Sequence, residues 1–506
     1  MAIACADAQS TDLYTVAQIR AIEQAALDNL PAGTLMQRAG KAVADAALAL
    51  LAQDTSNRHI LIAVGPGNNG GDALVAAQEL AMHGVTISVV MPVAVNQLSP
   101  DAKTALDNAN STLISFIELT SLRDDQEWDL AIDGLFGIGL TRAVQVEFRA
   151  LVNYLNSLSC PVLAIDVPSG LNADDGNLIG PEGIAVKAST TISFIANKPG
   201  LHTLHGRDYA GTIVVNDLDI ARNLFKEPIA KLNRPELFRS SIHPRVHASH
   251  KGSHGDLFVM GGASGMAGAV LLAARAGAIT GAGRVFAGFL DTAPPFDPVH
   301  LELMCRSAAS LQPTRGAIVV GPGMGMSSQA NDLLSRMLST ELALVIDADA
   351  LNLLAVEPGL QQRLLHRRAA TLLTPHPLEA ARLLEIPVEE IQKDRLDAAK
   401  KLATKFQSVV ILKGSGTVIA SFDNSLVINT TGNPALATAG TGDVLAGLCG
   451  SLLAQQWPVW DATLAAVWIH GDAADRMVNE GIGPIGITAS ELLPYLRKSL
   501  NQLLPA

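Results

Sequence analysis

Short apolar segments recur along this chain, and most are followed by a glycine-rich turn or a helical stretch. This alternation is typical of buried parallel strands joined by helices. The first run of predicted strands comprises His59–Val64, Val85–Met91, Asp129–Asp133, Val162–Asp166, Thr190–Ile195 and Thr212–Val215. The second run comprises Asp256–Met260, Arg284–Leu290, Ala317–Val320, Leu344–Ile346, Thr371–Leu373 and Val409–Leu412. The pattern therefore predicts an α/β fold with two helix-covered sheets.

Two runs of strands in 506 residues predict two domains, because one hydrophobic core rarely grows to that size. Residues Ala221–Lys251 are rich in Arg, His, Lys and Pro and follow neither a helical nor a strand period. We place a linker at 225–240, between a first domain of residues 1–224 and a second of residues 241–506. Helices are predicted over Thr15–Leu51, divided near Pro31, and at Asp72–His83, Ala267–Thr280 and Val444–Gln455.

The charge and cysteine content limit the partners and the compartment. With 36 basic and 48 acidic residues, the net charge of −12 argues against nucleic-acid binding. Cys5, Cys160, Cys305 and Cys449 form no CxxC pair, which predicts free thiols in a reducing compartment. No signal peptide or bilayer-spanning segment is recognisable, so a cytoplasmic enzyme without membrane contact is expected.

The first half carries a glycine-rich motif, Gly65–Asp72 (GPGNNGGD), between a predicted strand and a helix. Such a motif lets the backbone approach a phosphate at a helix N-terminus, although a structural turn is the alternative. An ordinary dinucleotide site also needs an acidic residue at the end of the second strand, and Val90–Pro92 has none. The motif therefore argues against a standard nicotinamide dehydrogenase.

Three predicted strands of this half end in polar residues. Asn69 and Asp72 follow one strand, Asp133 ends another, and Asp166 and Ser169 follow a third. Ligands bind at the carboxyl ends of parallel strands, so we expect these side chains at one edge of the sheet. Their oxygen atoms would also suit a hard cation. Each Asp read separately could instead be a turn residue.

In the second half, Gly440–Asp443 (GTGD) precedes a predicted helix. Unpaired backbone N–H groups at that point form an anion site, and Asp443 could be a catalytic base or merely a helix cap. No Walker A sequence is present, which excludes a P-loop enzyme.

Further glycines and acids end other strands of this half. Lys413–Thr417 (KGSGT) fits a nucleotide site or a hairpin turn, and Thr374–Glu379 (TPHPLE) presents His376 between two prolines. Asp347 and Asp349 either line the cleft or serve as turn and cap residues.

The first-half motifs resemble the NAD(P)H-hydrate epimerase family, in its order: GNNGGD, DGLFGIG, DVPSG and FIANKPG, over residues 12–222. The resemblance implies a Rossmann-like three-layer αβα fold that epimerises hydrated NADH or NADPH. It implies that the hydrate is held by Asn68, Asn69, Gly70, Gly71, Asp72, Gly137, Ile138, Gly139, Leu140, Thr141, Arg142, Ala143 and Asp166. It further implies potassium at Asn69, Asp133 and Ser169. Asp166 is our candidate acid or base. Lys198 is a second catalytic candidate, with a surface lysine at a Pro-Gly turn as the alternative.

The motifs TPHPLE, KGSGT and AGTGDVL are similar to the ADP-dependent NAD(P)H-hydrate dehydratase family, over residues 235–500. The resemblance implies a ribokinase-like αβα fold and recovery of NAD(P)H from the S hydrate as ADP becomes AMP and phosphate. It implies hydrate binding by Ala269, Gly323, His376 and Asp443. It implies nucleotide binding by Lys413, Gly414, Ser415, Gly416, Thr417 and Gly442. Magnesium would neutralise phosphate charge, and Asp443 would deprotonate the hydroxyl group of the hydrate.

Two other functions remain open at this point, and a homo-oligomer is expected in each case. GTGD alone would also permit a kinase that phosphorylates a vitamin or a sugar alcohol. The first domain could instead be a catalytically silent dinucleotide-binding module. The leading hypothesis is a bifunctional repair enzyme, because both sets of motifs stand in one chain.

Overall fold

The computed structural model describes residues 11–109 and 112–504 and divides the chain into two compact units. The division falls between Lys231 and Leu232, inside the stretch predicted as a linker. That stretch is not wholly irregular, because it includes a short strand, Ala230–Leu232. Cys5 lies outside the described residues, and Cys160, Cys305 and Cys449 are free thiols, as predicted.

In the first unit, seven strands of the described chain form a wholly parallel sheet in the order β4–β3–β2–β5–β6–β7–β8. Strand β1 pairs antiparallel with β9, outside this seven-stranded sheet. The strands are β1 (Asp12–Leu13), β2 (His59–Val64), β3 (Thr86–Val90), β4 (Ile114–Ile117), β5 (Leu130–Gly134), β6 (Val162–Ile165), β7 (Thr190–Phe194), β8 (Thr212–Asn216) and β9 (Ala230–Leu232). The central strands are buried on both faces, which explains their unbroken apolar sequences.

Helices cover this sheet and connect its strands: α1 (Val16–Leu27), α2 (Thr34–Leu50), α3 (Asn68–Met82), α4 (Pro100–Asn108), α5 (Val146–Ser157) and α6 (Gly206–Tyr209). Helix α1 begins with a capping box between Thr15 and Gln18. The predicted division near Pro31 is confirmed, because α2 starts after Gly33, whose φ of +79° suits glycine. Helix α3 begins four residues before the predicted Asp72.

In the second unit, the sheet order is β18–β17–β16–β15–β14–β13–β10–β11–β12. Strands β10 to β16 pair in parallel, and β16, β17 and β18 pair antiparallel. The strands are β10 (Asp256–Gly261), β11 (Arg284–Phe289), β12 (Met304–Ser307), β13 (Ala317–Val320), β14 (Ala343–Ile346), β15 (Thr371–Leu373), β16 (Val409–Leu412), β17 (Val418–Ala420) and β18 (Leu426–Ile428).

The helices of this unit are α7 (Ala267–Ile279), α8 (Ser328–Leu338), α9 (Asp349–Val356), α10 (Pro358–Leu365), α11 (Pro377–Leu384), α12 (Val388–Lys393), α13 (Arg395–Phe406), α14 (Thr441–Ala454), α15 (Val459–Asn479) and α16 (Leu492–Gln502). Helices α7 and α14 pack closely: a β-carbon at Gly447 would lie 2.0 Å from the carbonyl oxygen of Ala273. Within 11–109 and 112–504, no helix combines the length and hydropathy that crossing a bilayer requires.

The predicted two-sheet α/β class is confirmed, but the sequence missed several strands. Strand β4 has partly exposed ends and an exposed centre, and β17 and β18 have three residues each. Short and edge strands carry little apolar periodicity, because three or four residues show too few alternations to stand out from a turn.

Candidate functional sites

A cavity of about 510 Å³ opens at the carboxyl edge of the first unit's sheet. It therefore lies where parallel sheets bind ligands. Four stretches contribute to its wall: helix α1, the start of α2, the Pro66–Asp72 segment and the loop after β5. Of the predicted site residues, the wall includes Asn68, Asn69, Asp72, Gly137, Ile138, Gly139, Leu140, Thr141, Arg142 and Asp166.

Asp166 follows β6 directly and takes a left-handed backbone conformation, with φ at +66°. Its Oδ1 atom lies 2.9 Å from Lys198 Nζ, and its Oδ2 atom accepts a hydrogen bond from the Ile138 backbone at 3.1 Å. A non-glycine residue in this conformation is uncommon and is often found at functional sites.

Lys198 is not the surface lysine of the alternative interpretation, because its side chain is 0% exposed. Besides the Asp166 pair, its ammonium group donates to Ser193 Oγ at 2.7 Å, Phe194 O at 3.0 Å and Ala196 O at 3.2 Å. These three acceptors and the Asp166 carboxylate share the three protons of the ammonium group. Lys198 therefore holds the Asp166 carboxylate in position.

Asp133 and Ser169 form a second polar group beneath the cavity wall, and both are completely buried. Ser169 donates from its backbone to Asp133 Oδ2 at 2.8 Å and from its hydroxyl to Oδ1 at 2.6 Å. Burial raises the pKa of Asp133 to about 6, against the opposing effect of these hydrogen bonds. Within the described residues, no cationic side chain pairs with this carboxylate.

Asn69 lies at the start of α3, and its Nδ2 atom is buried without a hydrogen-bond partner in the described chain. A buried N–H donor left unpaired indicates a position where a ligand supplies a hydrogen-bond acceptor. The oxygens of Asn69, Asp133 and Ser169 are the kind that a potassium ion would need, so the residues present fit such an ion.

Gly137 lies against the side chains of both Asn69 and Asp166. A β-carbon at residue 137 would lie 2.8 Å from Asp166 Oδ2 and 3.0 Å from Asn69 Oδ1. Real β-carbons essentially never come within 3.0 Å of another heavy atom, so any larger residue here would displace the Asp166 carboxylate and crowd Asn69.

Helix α1 contributes two charged residues that the sequence analysis missed. Arg20 and Glu23 line the cavity, next to the buried Ile19 and Ile22. Burial and the Asp166 carboxylate raise the pKa of Glu23, and burial raises that of Asp72. The sequence feature that could have identified Arg20 and Glu23 is their position beside the apolar residues of a predicted helix.

We expect Gly137→Ala to lower hydrate epimerisation by about 10- to 100-fold, because the added methyl group displaces the Asp166 carboxylate. Steady-state kinetics on the full chain would measure this. Gly139→Ala is the matched control, since its β-carbon would meet nothing within 4 Å, and its effect should be clearly smaller. Equal losses in the two variants would contradict the steric explanation.

In the second unit, Asp443 lies in the first turn of α14, which Gly440 caps with φ at +89°. The N-cap position belongs to Gly440, so Asp443 is the third residue of the helix and not its N-cap residue. Burial and the Asp347 carboxylate raise the pKa of Asp443 to about 6, while Lys413 opposes the shift. A carboxyl group with this pKa is largely ionised at neutral pH and still basic enough to accept a proton.

Lys413 joins three of the predicted motifs. Its Nζ lies 2.9 Å from Asp347 Oδ1 and 4.0 Å from Glu379 Oε2. It also lies 3.5 Å from the position of a β-carbon at Gly442. Burial lowers the pKa of Lys413, but the Asp347 and Glu379 carboxylates more than offset this and raise it. Burial raises the pKa of Glu379 to about 7, against the Lys413 charge.

The KGSGT segment connects β16 to its antiparallel neighbour β17, so the hairpin interpretation is confirmed as its structure. Thr417 closes the turn by donating to Gly414 O at 3.0 Å. The buried Arg395, which the sequence analysis missed, holds the turn by donating to Leu412 O and Lys413 O. A turn fixed in this way can still present backbone groups to a nucleotide.

His376 caps α11, because its Nδ1 accepts hydrogen bonds from the Leu378 and Glu379 backbone. Glu379 completes the capping box by accepting from His376 N at 2.7 Å. The imidazole remains 46% exposed, and its Nε2 atom lies 3.4 Å from Glu379 Oε1. Burial and the charge of Lys413 lower the pKa of His376.

Ala269 and Gly323 meet at the start of α7. A β-carbon at Gly323 would lie 3.2 Å from that of Ala269, and Gly323 has φ at +55°. Nearby, Gly325 N donates to Asp349 Oδ2 at 2.8 Å, and Asp349 contributes to the raised pKa of Asp443. The predicted residues of the second half therefore surround one edge of the sheet. No cluster of three or more His, Cys, Asp or Glu that could hold a metal ion occurs in the described chain.

Two family models match the chain. Residues 257–498 match the model described as NAD(P)H-hydrate dehydratase, and residues 32–200 match the one described as YjeF-related protein N-terminus.

Curated relatives match nearly the whole chain. A bifunctional NAD(P)H-hydrate repair enzyme of Coxiella burnetii is 38% identical over 97% of this chain and 100% of its own length. The Vibrio cholerae protein of the same description is 37% identical over 97% of this chain and 98% of its own length. A crystal structure of an ADP/ATP-dependent NAD(P)H-hydrate dehydratase from Bacillus subtilis is 30% identical, with a TM-score of 0.47. It covers 54% of this chain and 98% of its own.

Proposed function

Since this chain belongs to the family of bifunctional NAD(P)H-hydrate repair enzymes, we propose that its first unit epimerises hydrated NADH and NADPH and its second dehydrates the S hydrate. The assignment of the two sites rests on one observation. In each unit, the motifs lie around one carboxylate at the carboxyl edge of that unit's sheet. These carboxylates are Asp166 and Asp443.

In the epimerase unit, the hydroxyl-bearing carbon of the nicotinamide ring must lose and regain water. Asp166 transfers the protons: it assists departure of the hydroxyl group as water and accepts a proton when water adds to the opposite face. Lys198 keeps this carboxylate oriented toward the cavity. The loops 68–72 and 137–143 hold the dinucleotide, with its phosphates at the N-terminus of α3.

Asn69, Asp133 and Ser169 would hold potassium in this unit. The ion would supply positive charge beside the buried Asp133 carboxylate, which has no cationic side-chain partner among the described residues. Its contribution would be to keep that carboxylate ionised and the loop after β5 in place.

In the dehydratase unit, hydroxide is a poor leaving group, and phosphorylation makes it a good one. Asp443 accepts the hydroxyl proton as that oxygen attacks the terminal phosphorus of ADP, and AMP departs. The C–O bond then breaks, phosphate leaves with the bonding electrons, and the ring regains its double bond on loss of a proton. The Gly440–Gly442 backbone stabilises the charge that develops on the transferred phosphoryl group.

Ala269, Gly323 and His376 contact the hydrate, and the Lys413–Thr417 turn with Gly442 contacts the nucleotide. Magnesium would neutralise phosphate charge here. Magnesium in such sites is held largely by the substrate phosphates and water.

We also propose the bounds of the two domains, the compartment and the assembly of the protein. The epimerase domain comprises residues 1–224 and the dehydratase domain residues 241–506, with 225–240 as the connection. The protein acts in the cytoplasm, where NADH and NADPH are used. It assembles as a homo-oligomer.

The proposal is tested by incubating the full chain with a mixture of NADH hydrate epimers and either ADP or ATP. We expect absorbance in the reduced-nicotinamide band to return beyond the fraction of S hydrate, with AMP and phosphate formed from ADP. Recovery limited to the S fraction would contradict the epimerase assignment. A stable phosphorylated product would indicate instead the small-molecule kinase that GTGD alone permits.

A further inference from the structure

A second, smaller cavity adjoins the proposed epimerase site. Its volume is about 260 Å³, and it shares Pro66, Phe136, Leu140 and Arg142 with the wall of the main cavity. The two cavities are therefore neighbours along one edge of the sheet, as the two halves of a dinucleotide require.

The strand order determines which half of the substrate each cavity would take. Asp166 follows β6, on one side of β2, and the smaller cavity includes Pro92 and Val93, just after β3 on the other side. With the pyrophosphate at the start of α3, beyond β2, and the reacting ring at Asp166, the adenosine half must extend toward β3.

The β3 end differs from that of an NAD-specific site in its charges. An NAD-specific enzyme carries an acidic residue there that binds the ribose 2′-hydroxyl and repels a 2′-phosphate. Here the chain continues through Met91, Pro92 and Val93, so that carboxylate is missing. Arg142 is the only lysine or arginine among the residues lining the smaller cavity.

The side chain of Arg142 is exposed. Within residues 11–109 and 112–504, its guanidinium group has no hydrogen-bond or ion-pair partner. Glu147, on α5, lines the same cavity, but no ion pair joins it to Arg142 in that part of the chain.

We propose that Arg142 binds the 2′-phosphate of NADPH hydrates in the epimerase unit and so determines how well this unit accepts phosphorylated substrates. A guanidinium group binds a phosphate through paired hydrogen bonds, which a ribose hydroxyl cannot match. The inference rests on the proposed function of this unit and adds the recognition of one substrate group to it.

The test compares epimerisation of R-NADPH hydrate and R-NADH hydrate by the full chain, with the S product removed by an added, separate dehydratase. For Arg142→Gln we expect KM to rise about 10- to 100-fold for the NADPH hydrate and by a much smaller factor for the NADH hydrate. Arg142→Lys should restore part of the difference, because it keeps the charge but loses the paired geometry.

Arg149→Gln is the matched control. Arg149 lies on α5, donates to Glu182 O at 3.2 Å and lines neither cavity, so its loss should leave both KM values unchanged. An equal rise for the two hydrates in Arg142→Gln would place Arg142 at the shared pyrophosphate and overturn the proposal, as would no change for either. Failure of the wild-type chain to epimerise NADH hydrate would instead contradict the proposed function itself.

Discussion

Replacing Asp443 with asparagine should abolish the return of NADH from its hydrate while epimerisation continues at the wild-type rate. Loss of a general base typically lowers a rate by about 10² to 10⁴-fold, and no other carboxylate stands at the start of α14. Recovery of NADH with excess ADP would measure the dehydratase rate. Chromatography of the R and S hydrates would measure epimerisation in the same sample.

The pH dependence of the wild-type dehydratase provides a second measurement. Because Asp443 must be ionised to accept a proton and its pKa is raised to about 6, the rate should rise through pH 6 and level off above it. A rate that stays constant between pH 5 and 7 would argue against Asp443 as the base.

The Asp443→Asn variant should not be less stable than the wild type at neutral pH. A carboxyl pKa raised in the folded state stabilises the fold below its ordinary value of 3.8, and this stabilisation is lost as pH rises through about 6. Removing the charge therefore relieves a cost at pH 7, and the Tm should be equal or higher. Asp397→Asn, which removes an exposed pair with Lys401, is the control and should change neither activity. A lowered Tm in Asp443→Asn would attribute its inactivity to misfolding.

Replacing Asp166 with asparagine should stop epimerisation, with an expected loss of about 10² to 10⁴-fold. In a mixture of hydrates with ADP, NADH should then return only to the extent of the S hydrate initially present. Asp45→Asn, on an exposed position of α2, is the matched change and should leave the recovery complete. Full recovery at the wild-type rate by Asp166→Asn would remove Asp166 from the mechanism.

Substitution of Lys198 tests whether the Asp166–Lys198 pair serves catalysis or only the stability of the fold. Lys198→Met leaves the Asp166 carboxylate without its cationic partner, which for a buried pair costs about 3–5 kcal/mol of folding free energy. Thermal unfolding should show a lowered Tm for that variant. The double variant Asp166→Asn with Lys198→Met should recover much of the Tm but none of the epimerase activity. Recovery of both would mean that the pair serves only stability.

Much of the fold followed from the sequence because buried parallel strands have a local signature. The strands His59–Val64, Ala317–Val320 and Val409–Leu412 have the predicted bounds, since an unbroken apolar run between turns is sufficient to identify them. The start of α3 was predicted too late, because Asn and Gly have low helix propensity and only the surrounding fold stabilises them as its first turn.

The sequence by itself determined the two α/β sheets and the motifs at their strand ends, because strand periodicity and glycine-rich turns are local properties of the chain. Only the tertiary structure decided how the charged groups meet. The burial of Lys198 against Asp166, the contact of Lys413 with Asp347 and the position of Glu23 in the cavity wall each join residues far apart in sequence. Pairing, burial and pKa depend on distances through space, and these distances exist only once both sheets have formed.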